Sequence, residues 1–410
     1  MTEKAMEDIE RPELKPGHLI EDEHPPVEEP LHPGWLRIGE ILKVPHAAFT
    51  NSRFLIGYHH SSNAYLLAGD GLTLVDPGND YTIFFDFKAL GFELTDIRKI
   101  VLTHGHRDHC MGIFELLGAP GVMENGNIEI LMHEAGPQEL KRLVSEAGFA
   151  PTELSGGETV QLSGFEWEVI HAPGHTMDSI CLYHPSTGVL ISGDTVLPET
   201  MAEVDKSAGG SLEHYLYGLR QIMKRNIVHV LPGHGVPVAC SGSRAVEESY
   251  EAVMLKVLET APEDKLSWME GARRLAEKGL LGEVAYCCDR ELALRPGNLH
   301  AMQLKGLTLN DMGRCEEALE LFDRVLVREP ENIYALTARG QALLGLTRYV
   351  DSLSCFDRAL ARAPAMREAQ VFKGMALYFL GKADKAMEIE AFKSEFHRRF
   401  SKNFAAGQKK

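Results

Sequence analysis

At 410 residues the chain exceeds what one ordinary hydrophobic core holds, so two domains are expected, with room for a third small piece. Its 44% hydrophobic and 25% charged residues are those of an ordinary soluble protein, and a net charge of −17 argues against nucleic acid as the main partner, because phosphate contacts need basic surface. No apolar run approaches the roughly 18 residues of a membrane span, and the N-terminus shows no apolar leader, so the expectation is a cytoplasmic protein with no membrane association. Seven scattered cysteines with no Cys-x-x-Cys spacing read as reduced thiols in that compartment.

Residues 1–34 are rich in Glu, Asp and Pro (Glu21-Asp22-Glu23, Pro25-Pro26) and hold no period of 2 or 3.6, which predicts a flexible acidic arm. Short strands follow at 54–58 and 64–68. A turn at Gly69-Asp70-Gly71 leads to a returning strand at 72–75, which ends at Asp76-Pro77-Gly78. A helix is expected at about 81–90, a strand through Ile100-Val101-Leu102, a helix over 111–117, a strand at 128–132 and a helix over 137–147. This alternation is that of a layered α/β domain. Strands return in 159–170, where Phe165, Trp167 and Val169 alternate with Glu166 and Glu168. A hairpin pairs 180–183 with 189–191. Ser211 is a good N-cap for a helix carrying Leu212, Tyr215, Leu219 and Ile222 on one face. A strand at 227–231 and a helix over 244–260 close a domain placed at 35–262.

Beyond about 265 the strand signals vanish and a period of 34 appears. Pro296, Pro330 and Pro364 keep it, as do Gly306, Gly340 and Gly374, and Phe322 with Phe356. Gly279, Gly313 and Gly381 share the register, with Thr347 breaking the series, and Ala318 and Ala386 fill a small-residue position where Ser352 stands between them. This pattern resembles the tetratricopeptide repeat over 263–400, with three repeats and a terminal capping pair, and implies an all-α solenoid that binds a protein partner or a second copy. Residues 401–410 read as a solvated basic tail.

Five strand ends within 35–240 finish in residues able to bind metal: Asp76, the run Thr103-His104-Gly105-His106-Arg107-Asp108-His109, His175, Asp194 and His234. Imidazole nitrogen and carboxylate oxygen suit zinc and its first-row neighbours. Strand ends gathered on one edge of a sandwich place such side chains in one cleft. The motifs His104-x-His106-x-Asp108-His109, Pro-Gly-His175-Thr, Ser-Gly-Asp194-Thr and Pro-Gly-His234-Gly, preceded by Val-Asp76-Pro-Gly, resemble those of the metallo-β-lactamase fold superfamily of hydrolases.

That resemblance implies a four-layer αβ/βα sandwich and a dinuclear site holding two divalent metal ions, zinc first, with iron or manganese as alternatives. His104, His106 and His175 would hold one ion, and Asp108, His109 and His234 the other. Asp194 would bridge them together with a hydroxide, and Asp76 would orient a ligand imidazole rather than bind metal itself. Asp108 would act both as ligand and as catalytic proton acceptor. Asp194 stands where the Cys-ligand zinc β-lactamases carry cysteine, and His106 stands where flavodiiron proteins carry Glu. The pattern looks most like glyoxalase II-type thioesterases and lactonases, although repeats replace the glyoxalase II substrate domain. The implied activity is metal-dependent hydrolysis of a small-molecule thioester, lactone or other ester. The rival readings are a mononuclear-iron persulfide dioxygenase and a non-enzymatic repeat scaffold with a vestigial metal site.

Other residues carry plainer expectations. His171 reads as structural, His59-His60 as surface, and Cys110 as a small buried apolar group. Tyr215 reads as packing, although it and Tyr217 lie on a helix that could reach substrate. The segment 199–210, with Ala208-Gly209-Gly210, reads as a mobile loop over the site.

Overall fold

The computed structural model describes residues 34–407 apart from 58–60, 80–83, 85–86, 89, 120, 123–126 and 262–265. The acidic arm, His59-His60, most of the helix expected at 81–90 and the end of the tail lie outside the described residues.

Two sheets form the first part of the chain. The larger runs in sequence order: β1 (Leu36–Arg37), β2 (Arg53–Leu55), β3 (Ala64–Gly69), β4 (Gly71–Val75), β5 (Ile97–Val101), β6 (Glu129–His133) and β7 (Pro151–Leu154). Pairing is antiparallel through β4 and parallel from β4 to β7. The smaller has the order β12-β11-β10-β9-β8, built from β8 (Thr159–Leu162), β9 (Phe165–His171), β10 (Ile180–His184), β11 (Val189–Gly193) and β12 (His229–Pro232). Only β11 and β12 are parallel in it, and the crossover that parallel pairing requires carries the helix Leu212–Ile222.

The central strands are apolar on both faces because both faces are covered. Tyr65, Leu67, Val75, Val101 and Leu131 point inward and meet Trp167, Val169, Ile180, Leu182 and Leu231 of the second sheet. Their neighbours Leu66, Leu74, Ile100 and Ile130 point outward under Ile113, Leu116, Leu140 and Val144 of the helices Gly112–Leu117 and Gln138–Glu146. On the far side Ile170, Cys181, Tyr183 and Leu190 are covered by Leu216, Leu219 and Ile222, and by Val246, Tyr250 and Val253 of the helix Gly242–Val257. Helix, sheet, sheet and helix make the four-layer αβ/βα sandwich.

Among the elements that the sequence pattern does not show are one strand and two short helices. Strand β7 begins at a proline on the sheet edge and exposes Thr152 and Glu153, so it carries no apolar alternation to read. The helices Ile38–Leu42 and Ala47–Thr50 are too short to display a 3.6 period, yet they bury Ile38, Leu42, Ala48 and Phe49 beside the inter-sheet core.

From Trp268 onward the described residues form antiparallel helix pairs. The 34-residue spacing has a steric cause. A Cβ on Gly306 would stand 2.7 Å from the ring of Phe322, and one on Gly340 would stand 2.4 Å from that of Phe356. Each first helix thus needs glycine where the second helix lays its phenylalanine. The next register position holds Glu390, where a new helix begins after Ala383–Met387, and Phe392 takes over against Gly374. None of the described helices is long and apolar enough to cross a membrane.

Candidate metal centre

The polar strand ends converge at one edge of the sandwich. Asp76 follows β4, His104 and His106 lie in the loop after β5, and Asp108 and His109 occupy the short helix Arg107–Cys110 that the loop opens. His175 lies between β9 and β10, Asp194 follows β11 and His234 follows β12.

Two clusters of ligand atoms result. His106 Nδ1 stands 3.1 Å from His104 Nε2 and 2.9 Å from His175 Nε2. Ring nitrogens on a tetrahedral zinc at 2.0–2.1 Å would be about 3.3 Å apart, so this spacing is that of a ligand set. In the second cluster His234 Nε2 is 3.3 Å from His109 Nε2 and 3.1 Å from Asp108 Oδ2. Asp194 lies between: Oδ1 is 3.3 Å from His109 Nε2, while Oδ2 is 3.6 Å from both His175 Nε2 and His234 Nε2. His104, His109 and Asp194 form a buried floor, whereas His106, Asp108 and His234, with side chains 28%, 33% and 36% exposed, form an open rim.

Asp76 organises the floor from behind. Its Oδ1 accepts from the Thr103 backbone N–H at 2.8 Å, and its Oδ2 accepts from Thr103 Oγ1 at 2.7 Å and from His109 Nδ1 at 2.9 Å. The carboxylate of Asp76 keeps the proton on His109 Nδ1, so with an ion bound Nε2 would be the ligand atom. The Thr103 hydroxyl, having donated to Asp76, can accept from His104 Nδ1 at 3.2 Å, so one carboxylate fixes two imidazoles.

The electrostatics call for positive charge. Burial opposes ionisation of Asp194, yet His109 beside it holds its carboxyl far below the usual carboxylate range. Burial likewise opposes a charged His109, but Asp194 and Asp76 raise it to about 10. His104 is pushed well down by burial and by His109, and His175 is lowered, chiefly by burial. Asp194 Oδ1 is buried and accepts no hydrogen bond. An imidazolium held between two buried carboxylates, with His104 and His175 beside it lowered by burial, marks a place where a divalent ion could take over the proton's charge.

The structure also shows partners that the sequence did not reveal. Asn63 receives the Gly57 N–H and donates from Nδ2 to the Pro232 and Gly235 carbonyls at 2.8 Å, and Tyr65 donates its hydroxyl to Pro232; together they fasten the loop of His234. Asp205 Oδ2 lies 3.0 Å from His106 Nε2, and the Glu203 carbonyl accepts from His175 Nδ1. Only a polar residue before an apolar strand and an Asp-x-Ser turn signal mark these positions in the sequence. Gly233 keeps space open: a Cβ there would fall 2.2 Å from Asp194 Oδ1 and 2.8 Å from His109 Cε1.

The secondary candidates stand elsewhere or play other parts. His171 stacks on His133 and bonds the Met177 carbonyl, and Cys110 is buried with its thiol pushed up to about 12, by burial first. Tyr215 is buried, with its hydroxyl donating to the Asp194 and Thr195 carbonyls, whereas Tyr217 is exposed.

Comparison with known proteins agrees with this geometry. The Metallo-beta-lactamase superfamily matches residues 57–234, and the Tetratricopeptide repeat matches 304–351 and 337–391. A probable metallo-hydrolase of Methanocaldococcus jannaschii is 30% identical over 190 residues, which are 44% of this chain and 91% of that protein. A hydroxyacylglutathione hydrolase of Hydrogenovibrio crunogenus is 33% identical over 144 residues, 32% of this chain and 46% of that protein. Among solved structures, a metallo-beta-lactamase family protein from Thermus thermophilus aligns over 59% of this chain and 94% of that one, at 22% identity and a TM-score of 0.41. The chain belongs to the metallo-beta-lactamase superfamily, with tetratricopeptide repeats following the hydrolase fold.

Proposed function

We propose that this chain is a metal-dependent hydrolase of a small-molecule thioester, lactone or other ester. The observation that carries the reading is the pair of ligand clusters sharing Asp194, with a buried floor and an open rim. His104, His106 and His175 would hold one ion, Asp108, His109 and His234 the second, and Asp194 would serve both. Divalent ions held there would supply a water of lowered pKa, from about 15.7 to about 7, and a Lewis acid for a substrate carbonyl.

The chain's own residues do the rest. Asp108, on the rim beside His234, is held ionised by that histidine against the opposing effect of burial. Beside its part as a ligand, this ionised carboxylate on the open rim would take the proton of the attacking water and return it to the leaving thiolate or alkoxide. The buried floor keeps bulk water from one side, while the rim admits substrate. The similarity to a hydroxyacylglutathione hydrolase supports a thioester among the candidate substrates. Zinc is the first candidate metal, with iron and manganese accepted by the same donors. The second cluster favours two ions over the single iron of a persulfide dioxygenase.

We place the hydrolase unit at 35–262 and the repeats at 263–400, in a cytoplasmic protein. Exposed Leu307, Tyr334 and Phe379 on the repeats support a protein partner or self-association.

Metal analysis after loading with zinc, iron or manganese, combined with a panel of esters, lactones and thioesters, tests the reading. Two ions per chain and turnover of at least one substrate class are expected. Fewer than one ion with no turnover, or oxygen uptake with a persulfide substrate, would sink it. In the active preparation Asp108→Asn should lower kcat by about 10²-fold or more.

A further inference from the structure

The segment 199–210 is fitted to the metal cluster. Asp205 divides its carboxylate between two tasks. Oδ1 accepts from the N–H and hydroxyl of Ser207 and from the Ala208 N–H at 3.2 Å, which closes a tight turn. Oδ2 faces His106 Nε2 at 3.0 Å. The backbone around it is tied to the His175 loop: Asp205 N donates to the His175 carbonyl at 2.8 Å and Met177 N to the Ala208 carbonyl at 2.9 Å. The glycines serve this close approach. A Cβ on Gly210 would fall 2.4 Å from the His175 carbonyl oxygen and 2.6 Å from that of Gly174, and Gly209 adopts a φ of +77°. The same segment supplies the Glu203 carbonyl to His175 Nδ1.

His106 is the imidazole of its cluster that packing holds least: its side chain is 28% exposed, while His104 and His175 are buried. It is also the one that presents Nδ1 rather than Nε2 to the cluster. Both ring orientation and tautomer must therefore come from a partner on Nε2, and among the described residues that partner is Asp205. Asp76, by contrast, reaches His109 and, through Thr103, His104, so it touches both clusters.

We propose that Asp205 is a positioning residue that sets the affinity of the His104–His106–His175 cluster for its ion without altering the cluster of Asp108, His109 and His234. The proposal rests on the metal-centre reading above. It makes the segment between Asp194 and the helix Leu212–Ile222 a device for tuning one ion of the pair.

Asp205→Asn is the informative change. The three donors of the turn hold the new amide oxygen in the place of Oδ1, which turns the amide NH₂ toward His106 Nε2. That contact selects the opposite tautomer and aims an N–H at the cluster. Ser207→Ala loosens the turn without altering the atom that faces His106. The experiment is zinc titration of the metal-stripped full-length chain against a chromophoric chelator, repeated in a His234→Ala background, with the melting temperature of each metal-free protein.

The expected result is two tight equivalents for the unmodified chain. For Asp205→Asn, one equivalent should be unchanged and one weakened about 10- to 100-fold. The metal-free melting temperature should be unchanged, and the same loss should appear for the remaining ion in the His234→Ala background. Ser207→Ala should leave both equivalents tight. Unchanged binding in Asp205→Asn overturns the proposal. So does equal weakening of both ions with a lowered melting temperature, or an equal effect of Ser207→Ala, since these mark a role in the loop alone. An unmodified chain that binds no zinc overturns the metal-centre reading beneath it and is distinguished by that control.

Discussion

Asp76 adopts a left-handed backbone with φ of 52° although it precedes Pro77, where extended conformations are favoured. Such a conformation costs a non-glycine residue about 1–2 kcal/mol. It persists because the side chain is buried and accepts from three separate groups on Thr103 and His109. Asp76→Ala strands the Thr103 N–H and the His109 imidazole in a dry site. A loss of about 2–4 kcal/mol of stability is expected by urea denaturation, together with weaker binding of both ions in the chelator titration. A second residue reports on pH. His184 is buried beside Trp167, Phe49, Phe165 and His46, and burial first, then His46, lowers it to about 4. The folded form binds its proton less readily than the unfolded chain, whose histidine titrates near ~6.5. The stabilisation from His184 is thus complete above about 6.5 and is lost as pH falls from there through about 4, by up to about 3 kcal/mol. His184→Gln should shrink the difference between urea midpoints measured at pH 7 and pH 5; an unchanged difference would refute this account.

At the scale of elements, legibility followed burial. Strands β3, β4, β10 and β11 are covered on both faces, so their apolar runs stood out, and the candidate ligands could be read because each lies in the segment after a legible strand, β5, β9, β11 or β12. Strand β7 and the two short helices near the start lacked either alternation or length. Asp205 and Asn63 act on groups 99 and 169 residues away, His106 and Pro232, so no local pattern encodes their roles. Gly210 lets its backbone approach the carbonyls of Gly174 and His175, a contact that the sequence pattern around it does not show. In the repeats the periodic glycine was legible and its reason was not: the ring of the following helix. Gly340→Ala would force Phe356 off its position and should cost about 1–3 kcal/mol in the repeat helices. Circular dichroism would register that loss, while zinc affinity should stay unchanged.

Across the whole molecule one apolar cluster joins the sandwich to the first two helices of the C-terminal helical run. Tyr250, Val253, Met254 and Val257 pack with Ala272 and Leu275 of the helix Trp268–Glu277 and with Val284, Cys287 and Cys288 of the helix Leu281–Leu294. At its centre the buried carboxylate of Glu283 accepts from Arg220 Nε at 2.7 Å and from the Tyr250 hydroxyl at 2.6 Å. Arg220 ends the same helix whose Tyr215 holds the carbonyls of Asp194 and Thr195. One helix therefore meets the backbone of Asp194 near one end and the helix Leu281–Leu294 at the other. Glu283→Ala leaves Arg220, a quarter exposed, without its carboxylate and opens a gap in the shared core. Solvent at Arg220 reduces the cost of a broken buried pair to about 2 kcal/mol. Because the core is shared, the sandwich and the first helix pairs should unfold in one transition, and Glu283→Ala should lower its midpoint. Glu395→Ala, which breaks solvent-screened pairs with Arg398 and Arg399 far along the repeats, should leave that midpoint unchanged. Calorimetry of the full chain decides. A repeat transition that shifts in Glu283→Ala while a separate sandwich transition stays fixed would mean that the shared core does not couple them.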